Sequence, residues 1–266
     1  MLFVPLFFAA PSVDWMVRNV PTVFMAFLSF SLLSSAVYVF NDLKDLERDR
    51  LHPVKRKRPL PSGEVSVPSA ILIGAFLLIL SLTSGYFLGW TFLLVLGAYA
   101  LNNLLYTLYL KNYQLFDIFS IALGFVLRVY AGAVAIDVPV STYLFLTIFF
   151  LALFLAIGKR RYELLLLGED GKNHRRVLRH YSVYYLDQLM NISATLTLVV
   201  YTLYTLEVSR RGMVFTVPIV VFGLFRYYHI THNLNRGEPS DDLLSDPLIL
   251  LSALSYALVL AVVVLR

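Results

Sequence analysis

The 266-residue chain contains no cysteine. Disulfides, thiolate metal centres and a cysteine nucleophile are therefore excluded. It also carries no GxGxxG turn, no Walker loop and no HExxH pair, which removes dinucleotide-dehydrogenase, P-loop and zincin chemistry. Charge is scarce as well. Only 15% of residues are charged against 59% hydrophobic, and the mean hydropathy of +0.73 is far too high for a water-soluble domain. The expected class is an all-α polytopic membrane protein forming one domain over 1–266.

What is abundant is apolar runs of span length. Nine are legible, over 1–12, 19–40, 67–87, 89–110, 115–136, 141–158, 182–206, 213–230 and 247–265, most of them near the ~20 residues a crossing needs. The first is short and has neither a basic leader nor a small-residue cleavage site, so it reads as the remainder of a span, truncated at its N-terminus, and not as a signal peptide. Asp14 to Arg18 are expected to form a turn. Of the 22 Lys and Arg residues, seven lie in the 41–66 loop, seven in the 159–180 loop, and Lys111 and Arg236 in loops on the same side. Alternate loops hold only Arg18, Arg210 and Arg211. The positive-inside rule then places the rich loops, the N-terminus and a polar cavity on the cytoplasmic side of the plasma (inner) membrane, with the C-terminus outside. The net charge of +5 belongs to loops facing anionic lipid or phosphate, and no nucleic-acid partner is expected.

The densest chemistry lies at Asn41-Asp42-Leu43-Lys44-Asp45-Leu46-Glu47-Arg48-Asp49. On a helix Asp42, Asp45 and Asp49 fall at about 0°, 300° and 340°, so the three carboxylates point one way. Such groups repel unless a hard cation lies between them, and Mg²⁺ carrying a substrate diphosphate suits an oxygen-only set. A Pro-bounded basic loop follows at once, from His52 to Gly63 with Lys55-Arg56-Lys57-Arg58 at its centre. Beside the acids it reads as half of a diphosphate clamp; alone it would be a solvated, lipid-attracted loop.

Other polar groups belong to the same side. Gly158-Lys159-Arg160-Arg161-Tyr162-Glu163 closes the sixth apolar run; Lys159 and Glu163 have the spacing of an ordinary helix ion pair, while Lys159 and Arg160 could equally take phosphate. Arg128 lies eleven residues past Asp117, ~16 Å along a helix and near mid-bilayer, where it must face protein, water or ligand. His229 and His232 have a spacing zinc can use but no third ligand at helical spacing, and read as interface histidines.

These residues resemble a family. Asn41-Asp42-x-x-Asp45-x-x-x-Asp49, followed by His52-Pro53-x-Lys55-Arg56-x-Arg58-Pro59-x-x-Ser62-Gly63, is similar to the first motif of the UbiA superfamily of intramembrane prenyltransferases, whose architecture is a bundle of nine helices. Ordinary members carry a second acidic motif at the end of the sixth span, where this chain has Lys159-Arg160-Arg161-x-Glu163. That departure resembles one branch, the decaprenyl-phosphate phosphoribosyltransferases. Its pattern is traced in Tyr106-Thr107-x-x-Leu110-Lys111-x(5)-Asp117, Gly124-Phe125-x-Leu127-Arg128, Gly158-Lys159-Arg160-x-x-Glu163 and Phe222-Gly223-Leu224-Phe225-Arg226-Tyr227.

The resemblance implies Mg²⁺-dependent transfer of 5-phosphoribose from phosphoribosyl pyrophosphate (PRPP) to a polyprenyl phosphate, for cell-envelope precursors. Asp42, Asp45 and Asp49 would be the catalytic metal ligands. Asn41, Lys55, Arg58, Tyr106, Lys111, Asp117, Arg128, Lys159, Arg160 and Glu163 would bind the substrates. A homo-oligomer is compatible with this reading. The alternatives are an isoprenyl-diphosphate transferase acting on an aromatic or polyol acceptor and, from another class, a transporter; the internal repeats and broken helices of transporters are not evident.

Overall fold

The computed structural model describes residues 1–51, 55–174, 176–208, 212–234 and 237–265. His52, Pro53, Val54, Arg175, Ser209, Arg210, Arg211 and Arg236, which enter the sequence argument, lie outside the described residues. All regular structure among the described residues is helical. In chain order the helices are α1 (Val4–Phe8), α2 (Val13–Leu51), α3 (Pro59–Ser62), α4 (Val67–Tyr86), α5 (Trp90–Leu108), α6 (Phe116–Ala135), α7 (Thr142–His174), α8 (Val183–Glu207), α9 (Val217–Asn233), α10 (Pro239–Ser245) and α11 (Pro247–Leu265). Short 3₁₀ turns lie at Lys55–Lys57, Leu110–Asn112, Arg176–His180 and Met213–Thr216.

Among the described residues, seven helical segments are long and apolar enough to cross a membrane: α2, α4, α5, α6, Thr142–Leu166 of α7, α8 and Met213–Asn233. Seven of the nine expected runs are thereby matched. The last run forms a shorter apolar helix, Pro247–Val263, and the first contains only the five-residue α1.

Two boundaries depart from expectation. The turn expected at Asp14 to Arg18 is helix instead: Ser12 Oγ accepts the Trp15 N–H at 3.2 Å and Asp14 sits in the first turn, where a carboxylate meets the positive end of the helix dipole. The segment after 158 is also not a boundary, since α7 runs on to His174. Lys, Arg, Glu and Leu are all good helix formers, so leaving the apolar run does not end the helix.

The chain folds as two compact units. The first comprises Met1–Ala9, Met16–Tyr109 and Leu127–Pro139. Its core gathers Ala26, Phe30 and Leu33 of α2 with Phe92, Val95, Leu96 and Tyr99 of α5 and Ala131 of α6. The hydroxyls of Ser29 and Ser81 each donate to the other residue's carbonyl, at 2.9 and 2.8 Å, a reciprocal clasp between α2 and α4 that lipid could not supply. Gly132 of α6 lets the chain pass at Leu2: a Cβ there would lie 2.0 Å from the Leu2 carbonyl oxygen. The second unit comprises Ala10–Trp15, Leu110–Val126 and Val140–Arg266. Ala152, Leu153, Phe154, Ala156 and Ile157 of α7 pack there with Leu186, Met190 and Ala194 of α8 and Leu224, Tyr227 and Ile230 of α9.

Candidate active site

In the first unit α2 continues without a break from its apolar part through the acidic motif, so Asp42, Asp45 and Asp49 stand on consecutive turns as their spacing requires. Asp49 is 2% exposed; Asn41, Asp42 and Asp45 are half-buried. Residues 55–63 of the basic loop return to this helix. Their return is set by Pro59 and Gly63: Pro59 opens α3, and Gly63 closes it at φ 87°, a left-handed conformation that glycine adopts without strain. Arg58 Nη1 thereby donates to Asp42 Oδ1 at 3.1 Å and to Asp49 Oδ2 at 3.3 Å. Lys55 Nζ lies 3.7 Å from Asp49 Oδ1, beyond hydrogen-bond reach. Thr107 Oγ1 donates to Asn41 Oδ1 at 3.2 Å, and Tyr106, half-buried, precedes it on α5. Arg128 of α6 donates from Nη2 to Tyr99 Oη at 2.8 Å, the protein contact its depth demanded.

The second unit has a charge network of its own. Arg160, 1% exposed, donates from Nε to Asp117 Oδ2 at 2.7 Å and from Nη1 to Glu163 Oε2 at 2.9 Å. Asp117 is fully buried and accepts at Oδ1 from the Tyr181 hydroxyl at 2.8 Å, and that hydroxyl accepts the Leu115 N–H at 2.9 Å. Burial, and after it the Asp117 carboxylate, raises the Tyr181 phenol well above its ordinary range, so it stays a proton donor to Asp117. Leu115 holds φ 66°, a conformation costly for a side chain with a Cβ, and the loop preceding α6 is fixed in it at the mouth of this network. Lys111 lies in the same connection, half-buried in the 3₁₀ turn Leu110–Asn112.

The partner the structure gives Lys159 is Glu238, at 2.6 Å, and not the i+4 residue Glu163, which is drawn to Arg160. Gly237 brings Glu238 into place: a Cβ there would meet Tyr162 Cβ at 2.6 Å and the Gly158 carbonyl at 3.1 Å. Arg161 bonds Asp187 Oδ1 at 2.6 Å and the Thr231 carbonyl at 2.8 Å, and His232 Nε2 lies 3.1 Å from the same Asp187 oxygen. His229 is exposed, with Nδ1 2.8 Å from Asn233 Nδ2 on the same helix, so of the two expected interface histidines His232 is the one that reaches a neighbouring helix.

The model of the UbiA prenyltransferase family matches residues 1–245. The chain belongs to the UbiA prenyltransferase family. Among curated UbiA relatives, "Decaprenyl-phosphate phosphoribosyltransferase" of Mycobacterium tuberculosis is 35% identical over 237 residues, covering 88% of this chain and 78% of that one. The protein of the same name from Corynebacterium glutamicum is 31% identical over 258 residues, 93% of this chain and 78% of its own. In fold the chain is similar to a UbiA homolog from Archaeoglobus fulgidus solved with GPP and Mg²⁺, with a TM-score of 0.76 at 20% identity over 99% of this chain and 93% of that one.

The UbiA-type acidic motif fits a divalent cation by its chemistry. Its donors are all carboxylate oxygens, and Asp49 Oδ1 is buried with no hydrogen-bond partner. No three acidic or histidine side chains among the described residues already converge as a ligand set. Between Asp42 and Asp49 stands the Arg58 guanidinium. Asp187, Glu238, Tyr181 and Tyr99 were not singled out from the sequence. Their partners are 26 to 79 residues away in the chain, a range over which spacing carries no signal.

Proposed function

We propose that this UbiA-family protein transfers 5-phosphoribose from PRPP to a polyprenyl, decaprenyl-like phosphate and releases pyrophosphate. The observation that carries the reading is the similarity, over nearly nine-tenths of the chain, to relatives named for decaprenyl-phosphate phosphoribosyl transfer. The basic second cluster agrees with it, because a reaction that joins two anionic substrates calls for cations where isoprenyl transferases place acids.

In the reaction the bond from the ribose anomeric carbon to the pyrophosphate oxygen breaks, and pyrophosphate leaves with the electron pair. An oxygen of the acceptor phosphate forms the new bond to the same carbon. Attack from the opposite face turns an α-linked donor into a β-linked product. The acceptor phosphate is already ionised, so no general base is required. Asp42, Asp45 and Asp49 would hold Mg²⁺, which when bound supplies charge neutralisation on the pyrophosphate. Arg58 and Lys55, now turned toward the acids, are the cations placed to follow negative charge onto the departing oxygens. Asn41, with Tyr106 beside its partner Thr107, borders the ribose. Lys111 and Lys159 are assigned to phosphate binding, while Asp117 and Glu163 hold Arg160 and fix the basic cluster. We place this chemistry on the cytoplasmic side, with the N-terminus inside and the C-terminus outside, because the Lys- and Arg-rich loops lie on that side.

The deciding assay uses purified protein with Mg²⁺, labelled PRPP and a panel of polyprenyl phosphates. Label should pass from PRPP into lipid. Transfer from an isoprenyl diphosphate to an aromatic or polyol acceptor, with none from PRPP, would replace this reading with the prenyltransferase one, which the fold neighbour bound to GPP favours.

A further inference from the structure

Asp49 is the most deeply buried acid of the motif, with its side chain 2% exposed, whereas the side chains of Asp42 and Arg58 are 33% and 45% exposed. A carboxylate that water does not reach has to be neutralised from within the protein. One nitrogen does this for two acids: Arg58 Nη1 donates to Asp42 Oδ1 at 3.1 Å and to Asp49 Oδ2 at 3.3 Å. Both bonds are longer than the ~2.7–2.9 Å of a tight charge-assisted pair, so the guanidinium is shared between the acids and held closely by neither. On its other side Asp49 Oδ1 has no hydrogen-bond partner among the described residues, and Lys55 Nζ stays 3.7 Å away. A single positive charge thus covers two carboxylates and leaves a buried oxygen unbonded.

The backbone that carries Arg58 is fixed. Its N–H donates to the Lys55 carbonyl at 3.0 Å, its own carbonyl accepts the Ser62 N–H at 2.9 Å, and Leu60 and Pro61 of α3 are buried just beyond it. Its side chain is long, unbranched and nearly half exposed, so it can leave the acids by rotating about its own bonds while the loop stays in place.

We propose that Arg58 is the exchangeable counter-cation of the acidic motif: without donor it neutralises Asp42 and Asp49 and opposes a divalent cation there, and when the metal arrives with a diphosphate it releases the acids and pairs with the phosphate oxygens. The inference rests on the reading of this motif as the holder of Mg²⁺ and the donor's diphosphate. A divalent cation and a guanidinium held on the same two carboxylates repel each other, so the exchange is favourable only when something takes up the displaced charge. The diphosphate does so, and a phosphate can accept two N–H groups of the planar guanidinium where the two acids share one nitrogen. Metal and donor therefore bind as a pair, and the donor-free protein collects little metal. The diphosphate end is common to PRPP and to an isoprenyl diphosphate, and the test separates the two sources.

The test measures binding to the reconstituted full chain and needs no turnover. Mn²⁺ is titrated through the loss of its free-ion paramagnetic resonance signal. Labelled PRPP and labelled geranyl diphosphate are titrated by filtration at saturating Mg²⁺. The proteins are wild type, Arg58→Gln, Arg58→Lys and Asp49→Asn. Arg58→Gln should bind Mn²⁺ alone at least ~10-fold more tightly than wild type and the donor at least ~10-fold more weakly, the scale of one charge-assisted contact. Arg58→Lys should return both affinities toward wild type. A guanidinium that merely braces the loop moves both affinities in one direction or moves neither, and either result overturns the inference; so does tighter Mn²⁺ binding with unchanged donor affinity. The opposed shifts seen with PRPP support the phosphoribosyl reading too, whereas the same shifts with geranyl diphosphate alone replace that reading and leave the exchange standing. Mn²⁺ binding that Asp49→Asn does not weaken removes the metal from this motif and overturns the inference with it. Should Arg58→Gln not fold, wild type decides through phenylglyoxal modification of Arg58 read by mass spectrometry. A large excess of Mg²⁺ alone should speed that modification and Mg²⁺ with inorganic pyrophosphate should slow it, while one rate in all conditions overturns the inference.

Discussion

Asp45 and Asp117 are both carboxylates in helices near charged loops, yet their surroundings differ and so do the losses expected on changing them. Asp45 is half-buried on the face of the acidic motif, and Asp45→Asn changes charge with almost no change in shape. We expect Asp45→Asn to fold and melt like wild type while turnover falls ~100-fold or more, the scale of losing one electrostatic group at a reacting centre. Undiminished transfer from PRPP would take Asp45 out of the mechanism. Asp117 is fully buried and carries both Arg160 Nε and the Tyr181 hydroxyl. Removing one side of a buried ion pair strands charge in a medium that cannot solvate it, so Asp117→Asn should cost on the order of 3 kcal/mol, read as a lowered melting temperature in detergent. A variant that melts with the wild type would show that Glu163 alone satisfies Arg160. The pair of Lys159 and Glu238 is about one-third exposed at each partner and, by the same logic, adds under ~1 kcal/mol.

At the scale of elements, the spans were legible because lipid-length apolar runs bounded by charge admit few other readings, and α4, α5, α6 and α8 end within a few residues of the expected limits. The acidic motif was legible because its period is that of a helix. Less so were the elements whose boundaries depend on capping and tertiary contacts, such as the early start of α2 at Ser12, the continuation of α7 past Gly158 and the short α10. The start of α11 has such a device. Asp246 Oδ1 accepts the Leu248 and Ile249 N–H groups at 3.1 Å, and its two oxygens take a bidentate pair from Arg226 at 3.1 and 2.7 Å. The Arg226 hydrogen bonds, and with them the backbone donors, hold the Asp246 carboxyl down at about 2 against an ordinary 3.8. A carboxyl lowered in the folded state adds stability above its unfolded value and loses it as pH falls toward the folded one. The gap in melting temperature between wild type and Asp246→Asn should therefore be full at neutral pH and narrow from 3.8 down to about 2. Asparagine can still cap the helix, so the comparison isolates the charge. A gap independent of pH would mean the arginine pair contributes nothing.

For the whole molecule the charge pattern predicts which way the helices run. Asn41 and Asp42 just past the apolar part of α2, Lys111 after α5, Lys159 just past the apolar run of α7 and Glu238 before α10 all fall at ends of apolar runs or in connections that the charge pattern assigns to one side of the membrane. Lys and Arg near span ends resist translocation, and sixteen of the 22 lie on that side. The chain has no cysteine, so single-cysteine probes report without background. Ser62→Cys, at the exposed end of α3, and Asn173→Cys, in the 159–180 segment, should react with a membrane-impermeant maleimide only after the cytoplasmic face is opened. Ser209→Cys, between the runs at 182–206 and 213–230, should react in intact cells. Five expected spans lie between Ser62 and Ser209, the runs 67–87, 89–110, 115–136, 141–158 and 182–206, so an odd error in that count puts the two residues on the same face. Labelling of both from one side would thus reject the alternation of loops on which the cytoplasmic placement of the acidic motif and its phosphorylated donor depends.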